Sequence, residues 1–182
     1  RPMRGLYRLL TRWWTAFALA ASLALLGAAH AFERFGGLAP CNLCLKQREV
    51  YWGAVAIALV ATLWHLVSRG SRGTPRIAAF LLAVVFTTGA VTAVFHMGGE
   101  NGWWELPAAC MGGGEVSLES LAALAMGTAP VQAPVYCDAV TWRFPAGWGL
   151  SMAGWNALIS AALAVFSLLA AKRPKDARAP RP

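Results

Sequence analysis

Charged side chains are scarce in this chain of 182 residues. They make up 13% of it, whereas soluble domains carry roughly 25%. Acidic residues are the rarer kind, with eight Asp and Glu against 16 Lys and Arg. The low charge content argues against an ordinary soluble globule. Because the mean hydropathy is +0.51, the basic excess does not indicate a nucleic-acid-binding protein, and membrane lipid is the expected partner.

Formal charges are absent from four apolar runs, at about 13–32, 50–67, 77–97 and 150–171. Each run approaches or reaches the roughly 20 helical residues that cross a hydrocarbon core. Helices are the expected form, because backbone polar groups in lipid must be satisfied within the segment. The sequence therefore predicts an all-α integral membrane protein, in which residues 1–182 form a single domain built as a four-transmembrane-helix bundle.

The distribution of Lys and Arg predicts the orientation. Twelve of the 16 precede the first run, lie between the second and third, or follow the fourth. By the positive-inside rule, both termini and the link 68–76 are cytoplasmic, and two loops, 33–49 and 98–149, face outward. Within the second loop, residues 117–126 have the apolar spacing of a short interfacial helix, with Ser117 as N-cap.

Two further patterns concern the helices themselves. Small residues recur at four-residue spacing, as at Ala24 and Ala28 and at Ala157 and Ala161, and this predicts close helix packing. Alternatively, the first run is a cleaved secretory signal ending at Ala29-His30-Ala31. Its apolar stretch is longer than the 7 to 15 residues typical of such signals, which favours a membrane span.

Only four cysteines are present, and all lie in the predicted outward loops: Cys41, Cys44, Cys110 and Cys137. On that side of a membrane disulfides form and persist. The CxxC spacing of Cys41 and Cys44 brings two sulfurs within disulfide reach. If the second helix begins near Cys44, its positive N-terminal end favours a thiolate there. Arg48 lies one turn further on the same face, where its guanidinium can stabilise that thiolate or an anionic oxygen.

Other interpretations of these residues stay open. There is no second CxxC and no CxxH, so a zinc site is disfavoured and no metal is expected. His30 and His96 stand near the outward ends of their spans and could ligate a haem, but a haem would not explain the cysteines and is not expected. The cysteines could also form static disulfides in a structural or interaction protein. A thiol-reducing transmembrane conduit should have cysteines within its apolar runs, and this sequence has none there.

Several of these motifs together resemble the bacterial disulfide bond formation protein B (DsbB) family. They are Cys41-Asn42-Leu43-Cys44 with Gln47-Arg48, the pair Cys110 and Cys137, the run Gly149-Leu150-Ser151-Met152-Ala153-Gly154-Trp155-Asn156, and four spans in this order. The likeness covers essentially the whole chain. It departs at Pro145-Ala146-Gly147-Trp148, where the family is usually more compact. Vitamin K epoxide reductase relatives have a similar bundle, but there the loop cysteines precede the CxxC.

The resemblance implies a thiol:quinone oxidoreductase of the bacterial inner membrane, a multi-pass protein with both cysteine loops periplasmic. A reduced DsbA-like thioredoxin-fold oxidase would attack the second pair at Cys110, and Cys137 would then pass electrons to Cys41. Cys44 would reduce ubiquinone or menaquinone from the membrane quinone pool. Arg48 would stabilise the developing negative charge, with His96 near the quinone. Such an enzyme supports disulfide bond formation in other proteins.

Overall fold

The computed structural model describes residues 7, 9–68, 75–110, 122, 126 and 135–172. The four long helices of this part of the chain are α1 Trp14–Gly36, α2 Asn42–Val67, α3 Arg76–Glu100 and α4 Met152–Ala171. Each is long and apolar enough to cross a membrane. The predicted fold class, an all-α four-helix membrane protein, is confirmed.

On the predicted outward side, α1, α2 and α3 extend beyond their apolar runs, whereas α4 begins at Met152, two residues inside its run. The largest difference is in α2, which begins at Asn42 rather than near residue 50. Lys46, Arg48 and Glu49 end the uncharged run, but a charged side chain does not interrupt backbone hydrogen bonding in a helix. As a result, two turns of α2 precede its uncharged run.

Small residues allow α2, α3 and α4 to approach closely. A side-chain carbon added at Gly89 of α3 would lie 3.2 Å from Val50 of α2 and 3.3 Å from Ser160 of α4. Ala157 and Ser160 are buried, as the predicted packing requires, but Ala161 is exposed.

On α1 the expected packing at Ala24 and Ala28 is wrong, because both are exposed and the buried face carries Ala18, Ser22 and Leu26 instead. Alanine recurs on several faces of such a helix, so its spacing does not select the face that packs.

A sharp turn connects α1 to α2. Gly37 follows α1 in the left-handed conformation, with a φ of 65°, and its N–H bonds to the carbonyl of Phe32. Glycine adopts this conformation without the steric penalty of a side chain. Cys41 then caps α2, because its sulfur accepts a hydrogen bond from the N–H of Cys44 at 3.3 Å. The short connection holds Cys41 near the end of α1.

A small hairpin leads into α4. Strand β1, Arg143–Phe144, pairs antiparallel with β2, Leu150–Ser151. The turn between them contains residues 145–148, the segment in which the sequence was expected to depart from the family that it resembles. A side-chain carbon at Gly149 would lie 2.1 Å from the Phe144 backbone, so the turn closes only with glycine there. Ser151 accepts the Gly154 N–H at 3.1 Å and caps α4.

The predicted interfacial helix at 117–126 lies outside the described residues, except for Ala122 and Met126. The Met126 N–H bonds to the Ala122 carbonyl at 2.9 Å, which is the spacing of one helical turn.

Candidate active site

The structure brings the four cysteines together at one end of the bundle. Cys41, Cys110 and Cys137 are buried in one apolar cluster, and Cys44 packs against it. Cys41 and Cys44 are placed by the start of α2, and Cys110 ends a 3-10 turn, Ala108–Cys110. Residues more than 60 positions apart in the sequence thus form a single sulfur cluster.

The first pair has the geometry expected of a CxxC at a helix start. The sulfurs of Cys41 and Cys44 are 2.7 Å apart, and both cysteines are unpaired thiols in this structure. The Cys44 sulfur and burial raise the pKa of the Cys41 thiol well above its usual range. In the reduced pair, Cys41 therefore keeps its proton at neutral pH, and Cys44, in the first turn of α2, is the sulfur beside the positive end of the helix.

The second pair is more deeply buried. Cys110 is 3% and Cys137 1% exposed, and the Cys137 N–H donates to the Cys110 carbonyl at 2.9 Å. Burial, with the neighbouring Cys137 thiol, raises the pKa of Cys110 to about 12. Reduced Cys110 is therefore a protonated, weakly nucleophilic thiol at neutral pH.

His96, near the end of α3, lies between the two pairs. Its Nε2 is 3.0 Å from the Cys137 carbonyl oxygen and 3.7 Å from the Cys41 sulfur. Its Nδ1 is 3.0 Å from the side-chain amide nitrogen of Gln47. Glu100 stands one turn further along α3 and accepts a hydrogen bond from Ser151. The nearest distance between its carboxylate and His96 Nε2 is 3.9 Å, which is an electrostatic contact and not a hydrogen bond.

Arg48 is held against α1. Its guanidinium donates to the carboxylate of Glu33 and, at 3.3 Å, to the carbonyl of Ala29. The Arg48 side chain is 15% exposed, whereas Glu33 is 38% exposed. Two contacts do not use all five donors of a guanidinium, so part of the group remains able to bind a further oxygen.

Polar side chains continue from His96 into the helices. Gln47 accepts a hydrogen bond from the amide of Asn156 on α4, and Asn156 accepts one from the hydroxyl of Tyr51 on α2. Tyr51 also lies 2.8 Å from the hydroxyl of Ser160. Polar side chains inside apolar helices are costly unless they are paired, and here each has a partner.

A cavity of about 250 Å³ opens beside the cysteines. Its walls are mainly apolar and include Phe32 and Trp142, whose rings lie 5.4 Å apart. Arg48, Cys44 and His96 contribute the polar groups that matter for chemistry. A flat, mostly apolar ring with carbonyl oxygens, such as a quinone headgroup, fits this combination of apolar walls, a cationic donor and a reactive sulfur.

The same residues include three potential metal ligands. The sulfurs of Cys41 and Cys44 and a ring nitrogen of His96 all lie within 4.8 Å of one another. Metal binding through Nε2 would require the lone pair of that nitrogen, and the hydrogen bond to the Cys137 carbonyl would then be lost. The hydrogen bonding of His96 thus competes with metal ligation through Nε2.

Sequence reasoning did not identify Glu33, Glu100 or Tyr51 as site residues. Glu33 was visible only as one of seven acidic residues on the predicted outward side. The tyrosine lies in an apolar run, where a polar side chain is itself a signal of a functional or structural role. Conversely, His96 lines the cavity, whereas His30 does not.

Comparisons with known proteins identify the family of this chain. A family model described as Disulfide bond formation protein DsbB matches residues 11–170. A curated protein from Marinobacter nauticus, named Disulfide bond formation protein B, is 31% identical over 175 residues, which cover 91% of this chain and 96% of the relative. A protein of the same name from Aromatoleum aromaticum is 31% identical over 163 residues, covering 87% and 90%. No solved structure matches the chain.

Proposed function

Because this chain belongs to the family of disulfide bond formation protein DsbB, we propose that it is a thiol:quinone oxidoreductase of the bacterial inner membrane. Family membership and four apolar helices make it a multi-pass membrane protein of disulfide bond formation. The proposed substrate is the reduced form of a periplasmic thioredoxin-like oxidase of the DsbA type. The proposed electron acceptor is ubiquinone, with menaquinone as the alternative.

The first step involves the second cysteine pair. When Cys110 and Cys137 form a disulfide, a thiolate of the partner attacks the Cys110 sulfur, a mixed disulfide forms, and the electron pair leaves on Cys137. The second partner thiol then displaces Cys110, so that the partner is oxidised and the pair is reduced. The stepwise exchange requires sulfur-to-sulfur approach at each stage.

The second step transfers the electrons to the first pair. Cys137 attacks Cys41 of the oxidised CxxC, and Cys44 leaves with the electron pair. Cys110 then displaces Cys41 from Cys137, which restores the second disulfide. The burial of three of the four sulfurs in one cluster supports this exchange, because none has to cross solvent to reach the next.

In the last step the reduced CxxC returns to its disulfide and delivers two electrons and two protons to a bound quinone, which becomes the quinol. Cys44 is the electron donor of the pair, since Cys41 keeps its proton. Arg48 lines the same cavity and stabilises negative charge on the acceptor oxygen. Overall, one partner dithiol and one quinone give one partner disulfide and one quinol.

One observation carries the proposal: both cysteine pairs meet beside a single apolar cavity that also contains a guanidinium. Two static disulfides would stabilise a loop without any need for such a cavity. A transmembrane thiol conduit would need sulfur along the bundle, and all four cysteines lie at one end of it.

The proposed topology follows from the charge pattern, with cytoplasmic termini and periplasmic cysteine loops. Reporter fusions at the C-terminus and within the second loop test it in cells. Alkaline phosphatase, which needs periplasmic disulfides, should be active only in the loop fusion. An active C-terminal fusion would show that the proposed orientation is wrong.

The activity is tested with the purified full-length protein, a reduced DsbA-type oxidase and a soluble ubiquinone. We expect one quinone consumed per partner disulfide formed, and no consumption by the Cys44→Ser protein. Leu45→Ala is the matched control, because Leu45 is adjacent, 46% exposed and outside the cavity lining. Normal turnover by Cys44→Ser would refute the mechanism, and absence of quinone consumption by the unmodified protein would favour static disulfides.

A further inference from the structure

His96 contacts a backbone atom of one cysteine pair and a sulfur of the other. Its Nε2 lies 3.0 Å from the Cys137 carbonyl oxygen and 3.7 Å from the Cys41 sulfur, and the residue is 4% exposed. The second loop therefore reaches the first pair through an imidazole in a buried site. Whether Nε2 carries a proton then determines whether the contact between His96 and the Cys137 carbonyl is attractive or repulsive.

The Cys137 carbonyl shows which tautomer is present. A carbonyl oxygen only accepts, so Nε2 must carry the proton, and the Nδ1 of a neutral imidazole is then an acceptor. Nδ1 faces the amide nitrogen of Gln47 at 3.0 Å. The Gln47 oxygen accepts from Asn156, whose own oxygen accepts from Tyr51. Every donor in this chain of hydrogen bonds points from the helix interior towards Cys137.

The opposite direction of these hydrogen bonds would break the one between His96 and the Cys137 carbonyl. With both amides turned around, Gln47 would present its oxygen to His96, and the proton would move to Nδ1. Nε2 and the Cys137 carbonyl would then be two acceptors facing each other at 3.0 Å in a buried site. For a neutral imidazole, the Cys137 carbonyl at the end of this row of hydrogen bonds therefore allows only one orientation of the two amides.

We propose that Tyr51, Asn156 and Gln47 hold His96 in the Nε2–H tautomer, and that this N–H docks the Cys137 backbone beside Cys41 for exchange between the two cysteine pairs. The inference rests on the proposed function and assigns His96 and Gln47 as positioning residues. The exchange itself forms the Cys137–Cys41 bond and breaks Cys41–Cys44, with the electron pair going to Cys44. The resemblance to the DsbB family implies a place for His96 near the quinone, and the docking role is proposed in addition, because His96 also lines the cavity.

The test separates the exchange step from the quinone step. Fully oxidised protein is mixed with reduced partner in the absence of quinone, quenched with an alkylating agent, and analysed by mass spectrometry for reduction of each pair. The quinone step is measured separately, by mixing pre-reduced protein with a soluble ubiquinone. Gln47→Met removes the hydrogen-bond donor to Nδ1, and His96→Leu removes the imidazole ring. His96→Gln places a donor nitrogen back at position 96. Thr92→Ala, one turn earlier on α3, is the control.

We expect exchange between the pairs to slow roughly 3- to 10-fold in Gln47→Met and His96→Leu, the effect of losing one hydrogen bond. Partner attack at Cys110 should remain at the wild-type rate, and exchange between the pairs should slow by a larger factor than the quinone step, because Gln47 and His96 also line the cavity. His96→Gln should recover most of the exchange rate. If His96→Gln is as slow as His96→Leu, or if the variants slow only the quinone step, the docking role is overturned.

A measurement on the resting protein gives a readout that is independent of turnover. Nitrogen NMR of histidine-labelled protein should show His96 protonated on Nε2 and unprotonated on Nδ1, and Gln47→Met should shift this balance. Protonation of Nδ1 alone in the unmodified protein would overturn the proposal. If the unmodified protein fails to oxidise the partner, the proposed function is wrong. The tautomer measurement still shows whether the hydrogen bonds from Tyr51 to Cys137 run in the proposed direction.

Discussion

Replacement of Arg48 by methionine tests the assigned electron-acceptor site most directly. The substitution keeps an unbranched side chain and removes the guanidinium, which donates to Glu33 and Ala29 and lines the cavity with Cys44. Glu33, being 38% exposed, can be solvated by water when its partner is lost. The main expected effect is therefore loss of the donor to the acceptor oxygen.

The magnitude follows from the strength of that contact. A hydrogen bond from a charged donor contributes about 1.5–3 kcal/mol, and each 1.4 kcal/mol is a factor of ten. The kcat/KM for ubiquinone should therefore fall roughly 10- to 150-fold, mainly through a higher KM. Arg48→Lys keeps the charge but not the planar fork, so its value should lie between those of the unmodified protein and Arg48→Met.

The assay is the initial rate of quinone loss as a function of quinone concentration, at saturating reduced partner. Lys46→Met is the matched control, since Lys46 lies half a turn away, pairs with Glu49 at 3.1 Å and is outside the cavity lining. It removes one positive charge from the same end of α2. An unchanged kcat/KM for ubiquinone in Arg48→Met, or an equal fall in Lys46→Met, would refute a direct role for the guanidinium.

Two further predictions concern packing and thiol chemistry. Gly89→Val should destabilise the protein by about 1–3 kcal/mol, because even a first side-chain carbon meets Val50 and Ser160. Gly53→Val should be nearly neutral, because no atom of the described residues lies within 4 Å of the added carbon, and a comparison of unfolding midpoints in detergent checks both. In the reduced protein, the pKa of Cys110 is about 12, so at each pH a smaller fraction of Cys110 is thiolate than of an ordinary cysteine. Its alkylation rate should thus keep rising beyond about pH 10, whereas a plateau near the ordinary thiol value of about 8.5 would contradict this.

The membrane architecture was accessible from the sequence because it depends on local composition. Four uncharged runs predicted four helices, and all four are present. The ends of the helices were harder to predict, because hydropathy reports solvation and not backbone hydrogen bonding. The helix α2, for example, begins eight residues before the apolar run that predicted it. A start of α2 near Cys44 was only a condition of the thiolate argument, and the structure meets that condition because α2 begins at Asn42 and places the Cys44 sulfur in the first turn.

The candidate site was likewise predictable from the sequence only in part. The sequence by itself determined which residues are candidates for redox chemistry, since the four cysteines, the CxxC spacing and the nearby arginine can be read directly from it. Only the tertiary structure decided that Arg48 pairs with Glu33 and that His96 joins Gln47 to the Cys137 backbone. It also decided that Arg48, His96 and Cys137 line one cavity. Periodicity shows which side chains share a helix face, but the rotation and tilt of each helix against its neighbours determine which faces meet. Those depend on packing across residues that are distant in the chain.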